Sequence, residues 1–267
     1  MTDRDREMSF LGHLEELRWR LIKAVISVVV GAIAAFSAKS FIFDKIILAP
    51  KSENFITYRA LCSLGEKIGL GDALCLADYK LQIQNINMAG QFTTHIVVSL
   101  IAGFIIAFPY VFFQIWKFIS PGLSQREIKT SRGIVFWTSF LFMIGVVFGY
   151  FLIAPLSIQF LATYSISSDV ANSITLNSFI STVTSVTLAN GLVFQLPVLV
   201  YFLAKLGIIT PAFLRKYRKH AVVVVLILSA IITPPDVWSQ ILVTIPLMLL
   251  YEISIIVAKR IEKAEDY

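Results

Sequence analysis

Apolar positions along this chain gather into six runs, near residues 21–41, 92–116, 133–153, 178–203, 221–232 and 237–257, separated by polar segments. A helix needs about 20 apolar residues to cross a hydrocarbon core of roughly 30 Å. The pattern therefore predicts six transmembrane helices in a single all-α membrane domain. Residues 8–20 read separately, as an amphipathic surface helix within the polar N-terminal stretch 1–20. There Phe10, Leu14, Leu17 and Leu21 recur along one stripe. A long segment, 43–90, links the first two runs. Pro109 and Pro197 predict bends inside the second and fourth. Gly145 and Gly149 form a GxxxG pair in the third, which either lets two helices approach closely or is a chance match. The fifth run is short enough to be re-entrant. The alternative is a pair of true spans, 221–232 and 237–257, joined by Thr233-Pro234-Pro235-Asp236.

Charge decides between these readings. Lys and Arg crowd every second polar segment: Arg4 to Lys23, Lys117 to Arg132, Lys205 to Lys219, and Lys259 to Lys263. None falls between Ala154 and Ala204, or around Pro234. Seventeen of the 23 cations thus share one side, the signature of cytoplasmic loops. If residues 221–232 failed to cross, Lys259, Arg260 and Lys263 would lie outside. The expectation is therefore six spans with both termini inside. A mean hydropathy of +0.78, with only 15% charged residues, departs from soluble composition, where about a quarter are charged. The net charge of +6 is accounted for by topology and by anionic lipid at the membrane surface, so nucleic acid is not an expected partner. No cleavable signal peptide is predicted, because the N-terminal stretch is too charged.

Catalytic signatures are missing. The chain has no Walker A loop, HExxH or GxSxG, and His13, His95 and His220 are scattered. We expect neither an enzyme nor a metal or cofactor site, so any work must be driven by a partner, a gradient or binding energy. Cys62 and Cys75 share the long outer segment. They are two buried thiols or, in an oxidising compartment, a disulfide contributing about 3 kcal/mol.

Polar residues that could carry function lie in three places. On a helix, Glu16 faces Arg20 and either pairs with it or binds a ligand. Glu127, three residues after Ser124, either closes a capping box or does the same. In the fourth run Asn177, Ser181, Thr184, Gly191 and Gln195 fall on one helical face, with Leu188 among them. That stripe is a packing surface or a polar groove, and the groove would suit a solute permease. Asp236 reads as a helix cap, and Glu252 as a partner of Lys259. No internal repeat is visible.

Several of these segments resemble one family. His13-Leu14-Glu15-Glu16-Leu17-Arg18, Gln114-Ile115-Trp116-Lys117-Phe118-Ile119-Ser120-Pro121-Gly122-Leu123 with Glu127, Phe194-Gln195-Leu196-Pro197 and Thr233-Pro234-Pro235-Asp236 resemble TatC, the multi-spanning receptor of the twin-arginine protein translocase. The resemblance covers roughly 9–258. It implies a concave, glove-like body of six helices, the fifth and sixth short, in the bacterial inner membrane. It also implies a receptor that binds signal peptides carrying two consecutive arginines. Such a receptor self-associates and works with TatA-type, and in some systems TatB-type, single-span subunits to export folded proteins on the proton-motive force. By position, Glu16 and Glu127 match the carboxylates that receive the arginine pair. Leu14, Leu17, Arg18, Phe118 and Pro121 fall in the same motifs, and Asp236 and Glu252 also match the pattern. Gln195 stands where the family often has Glu, and an amide cannot titrate there. The outer segment holding Cys62 and Cys75 is enlarged.

Overall fold

The computed structural model describes residues 10–52, 54–69, 81–119, 131–167, 169, 172–233 and 237–265. Helices dominate it. In chain order they are α1 (Phe10–Ser37), α2 (Ile56–Ile68), α3 (Gly90–Ile119), α4 (Ser131–Phe148), α5 (Ala154–Thr163), α6 (Leu176–Val193), α7 (Leu196–Lys205), α8 (Pro211–Lys216), α9 (Arg218–Ile232) and α10 (Val237–Glu265). π-Helical segments follow α1, at Phe41–Ile47, and join α4 to α5, at Gly149–Ile153. The strands β1 (Ile83–Gln84) and β2 (Ile174–Thr175) pair in parallel, Ile83 opposite Ile174.

Five stretches are long and apolar enough to cross a membrane: Gly12–Ser37, Gly90–Ile119, Gly133–Thr163, Leu176–Lys205 and Ser239–Glu262. The remaining apolar helix, α9, has 15 residues. At 1.5 Å per residue it reaches only about 22 Å.

Three expectations need correcting. The amphipathic N-terminal segment is not a separate surface helix but the first turns of α1, a single 28-residue helix. Nothing between Phe10 and Ser37 breaks it, since the stretch has no proline and its one later glycine, Gly31, lies mid-helix. The third span does not stop near residue 153; it continues through the π segment and α5 to Thr163. The bend in the fourth span falls at Phe194 and Gln195, between α6 and α7, just ahead of Pro197. Proline fits the first turn of α7, where its missing N–H costs nothing.

The chain divides into two compact units, residues up to 39 with 95–140, and 40–94 with 141 onward. In the first, α1 and α3 run antiparallel and touch at three levels. Phe36 stacks on His95 with ring centroids 3.9 Å apart, and His95 Nε2 lies 3.2 Å from the Phe36 carbonyl. Further along, a Cβ on Gly31 would sit 2.8 Å from the carbonyl oxygen of Gly103. At the far end His13 stacks on Phe118 at 4.4 Å.

In the second unit the GxxxG pair is a true crossing. A Cβ on Gly145 would lie 2.6 Å from the Asn190 carbonyl, and one on Gly149 would lie 3.0 Å from the Val186 carbonyl. Gly191 answers from α6, facing Phe142 and Val146. Small residues permit this approach where lipid gives helices no hydrophobic reason to associate. Around the crossing Ile153, Ala154, Val186, Phe194, Val225, Val243, Leu247 and Leu250 form a buried core.

The segment that follows α1 is docked on the α4–α5 junction. Pro155 has no N–H to return to the previous turn, and the Phe151 carbonyl, four residues back, accepts from the Thr57 hydroxyl instead. The Tyr58 hydroxyl lies 3.0 Å from the Pro50 carbonyl and 3.1 Å from that of Pro155. Tyr150 donates to Ile46 at 2.7 Å. Phe55 stacks on Phe151 and meets Tyr150 edge-on, both at 5.8 Å.

Two outcomes follow from the crossing. Gly149→Val should destabilise the detergent-solubilised protein by about 1–3 kcal/mol, read as a lower melting temperature, because neither helix can yield. Gly133→Val should melt as wild type, since a Cβ there meets nothing within 4 Å. If both variants melted alike, the crossing would not be tight.

Candidate functional site

The first turns of α1 carry His13-Leu14-Glu15-Glu16-Leu17-Arg18, good helix formers apart from His13. The His13–Phe118 stack sets them beside the C-terminal end of α3. Two segments a hundred residues apart are thus joined in one unit. Leu14, Leu17 and Arg18 are exposed, while Gln114 and Trp116 are buried.

Glu16 is held unsymmetrically. Arg20, one turn on, directs Nε to Oε1 at 2.9 Å and places Nη2 on that same oxygen. The other oxygen, Oε2, is buried and has no hydrogen-bond partner among the described residues. The expected i,i+4 pair therefore forms, yet it occupies half of the carboxylate. A carboxylate has about four acceptor positions, and leaving a buried oxygen unmet costs about 1–3 kcal/mol. Glu127 and Pro121 lie outside the described residues.

The fourth-span stripe is less uniform than its spacing predicts. Asn177 and Ser181 are exposed, whereas Thr184 is buried and donates to the Ile180 carbonyl of its own helix at 2.7 Å. Gln195 sits at the α6–α7 break, its Nε2 3.5 Å from the Gly191 carbonyl. Sequence reasoning missed Asn190. It is wholly buried, donates through Nδ2 to Val186 at 2.8 Å, and leaves Oδ1 without a partner among the described residues. Thr187, one turn earlier, also has a buried hydroxyl with no partner among them. The signal was present, since Asn190 is the only Asn or Asp between Asn177 and Asp236. The buried face is rotated by about one residue from the assumed stripe, so Asn190 escaped it.

Comparison with known proteins places this fold. A family model described as Sec-independent protein translocase protein (TatC) matches residues 12–246. A TatC of Blattabacterium from Periplaneta americana is 42% identical over 264 residues, 98% of this chain and 99% of that protein. A TatC of Helicobacter pylori is 38% identical over 253 residues, 94% of this chain and 88% of the relative. A crystal structure of the twin-arginine translocase receptor TatC superposes with a TM-score of 0.70 at 32% identity, covering 94% of this chain and 99% of that one. The chain belongs to the TatC family. It is a component of a Sec-independent protein translocase, a transport protein and a multi-pass membrane protein.

The remaining sites settle differently in this TatC chain. Glu252 does not pair with Lys259; it binds Arg218 at 2.6 Å, tying the start of α9 to α10. On a helix Lys259 lies seven residues on, about 10 Å along the axis, whereas Arg218 opens the neighbouring helix. Asp236 lies outside the described residues. Cys62 is disulfide-bonded, and Cys75 lies outside the described residues. No cluster of metal-ligating side chains occurs among the described residues.

The Arg218–Glu252 pair stays about half exposed on both sides, so water screens it. A double-mutant cycle (Arg218→Gln, Glu252→Gln) should give a coupling below about 1 kcal/mol in thermal melts. A larger coupling would make the pair a structural clamp.

Proposed function

We propose that this chain is the signal-peptide receptor of a twin-arginine translocase in the bacterial inner membrane. Six spans, with α9 as the fifth, leave both termini in the cytoplasm. Glu16 and Glu127 receive the arginine pair of the signal peptide. The observation that carries the reading is the unmet Oε2 of Glu16 beside the end of α3. A guanidinium is a planar fork that engages a carboxylate through two parallel bonds, which lysine cannot reproduce. Exposed Leu14 and Leu17, with Phe118, offer apolar surface to the residues flanking the arginines. The crystal structures similar to this chain are themselves of a twin-arginine translocase receptor.

Topology is supported by charge and length together. Seventeen of the 23 cations gather on one side only if α9 crosses. Its reach of about 22 Å then requires the bilayer to thin or neighbouring helices to tilt. Function proceeds in two stages. The arginine pair docks at the membrane surface, drawn in within roughly a Debye length. The apolar part of the signal then inserts along the fourth span, and TatA-type subunits, with a TatB-type subunit where one exists, assemble where the bilayer is thinnest. Ser181, Thr184 and Gln195 offer hydrogen bonds to a partner helix. Self-association of the receptor belongs to the same reading, as does the proton-motive force as driver.

Crosslinking a signal peptide to membranes containing the protein tests this. An RR peptide should label it at least about tenfold more than its KK counterpart, the loss of one charge-assisted bond. Glu16→Gln and Glu127→Gln should each weaken RR labelling by a similar factor with the melting temperature kept. Arg20→Gln, which frees Glu16, should not weaken it. Equal labelling by RR and KK overturns the reading. A Glu127→Gln protein that fails to fold points to helix capping instead.

A further inference from the structure

The short helix α8 is pinned by one face and bare on the other. Pro211 and Leu214 are buried. Leu214 packs with Ile255 and Ala258 of α10, and the Tyr251 hydroxyl donates to its carbonyl at 2.8 Å. The opposite side exposes Phe213, Arg215, Lys216 and, at the junction with α9, Tyr217 and Lys219. Phe213 and Tyr217 hold their rings 4.5 Å apart. Just upstream, Leu206 and Ile208 are about two-thirds exposed, at 64% and 66%.

These cations have no acidic counterpart nearby in sequence. The stretch from Val170 to Pro235 contains no Asp or Glu. Glu252 is taken by Arg218, and Arg215, Lys216 and Lys219 make no ion pair among the described residues. Exposed aromatic rings beside unpaired cations, between the ends of two membrane helices, match the chemistry of the headgroup layer. Rings favour its boundary with the acyl chains, and each cation gains from an anionic surface.

We infer that the corner formed by α8 and its junctions with α7 and α9 binds anionic phospholipid. Arg215, Lys216 and Lys219 hold the phosphate headgroup while Phe213, Tyr217 and Ile208 enter the acyl boundary. An acidic peptide arriving from water would gain nothing from the rings. A free phosphate would find no enclosed set of donors. This inference is independent of where signal peptides bind.

The test is lipid retention by the full-length protein, purified in detergent, incubated with phosphatidylglycerol or phosphatidylcholine and read by native mass spectrometry. Phosphatidylglycerol should be retained about fivefold or more over phosphatidylcholine, the expectation for even one cation at a charged surface. The triple variant Arg215→Gln, Lys216→Gln, Lys219→Gln should lose that preference, and Arg215→Lys should keep it. Lys51→Gln with Lys67→Gln, exposed cations of the segment between α1 and α3, should also keep it. Equal retention of the two lipids overturns the inference, as does a triple variant that still prefers phosphatidylglycerol. Displacement of the lipid by excess inorganic phosphate, or by a polyglutamate peptide, would equally overturn it in favour of a free-anion or peptide site.

Discussion

In hydrocarbon, a backbone carbonyl or amide without a partner costs several kcal/mol, and no water is at hand to repair it. Wherever a span of this protein is interrupted, some other group must therefore supply the missing bond. Pro155 interrupts the third span, and the orphaned Phe151 carbonyl is met by Thr57 from the segment between α1 and α3. The same requirement places Tyr58 and Tyr150, whose hydroxyls reach the carbonyls of Pro155 and Ile46. Thr57 and Tyr58 thus complete an irregular membrane helix. Thr57→Val would remove more than a surface contact, because it would strand an acceptor at the helix junction.

Close approach is the second constraint, and it explains where polar side chains can be kept. Gly145 and Gly149 bring α4 and the following π segment against the backbone of α6 near Asn190. Asn190 is enclosed as a result, with one amide atom satisfied and the other without a partner among the described residues. Glu16 shows the same half-satisfaction near the end of a helix. The Arg20 contact costs little to share, since an i,i+4 pair contributes only a few tenths of a kcal/mol. A strong network would have consumed the carboxylate; this one leaves the second oxygen without a partner among the described residues.

Much of this was legible in the residues because period and length are robust signals in a membrane protein. Apolar runs marked the five stretches long enough to cross, and HLEELR with QIWKFISPGL pointed to the family. What escaped was decided by neighbours rather than by local pattern. Nothing in residues 8–20 announces that the amphipathic turns and the first span are one rod. The extension of the third span to Thr163 depends on contacts from residues 50–58 that sequence spacing does not reveal. Glu252 found Arg218 instead of Lys259 because pairing across two helices is a tertiary fact. The GxxxG motif was ambiguous until α6 supplied its partner, Gly191.

The continuity of α1 has a mechanical side. A helix of 28 residues is about 42 Å long and bends little without a proline or an inserted bulge. About three-quarters of the way along it rests on α3, where Gly31 meets Gly103 with almost no side-chain cushion. Such a rod behaves as a beam on a fulcrum. A tilt of about 5° imposed near Glu16 would swing the Phe36 end, five residues past that contact, the opposite way by roughly 0.7 Å. That end is stacked on His95, so a load placed on one side of the bilayer would be felt as strain on the other.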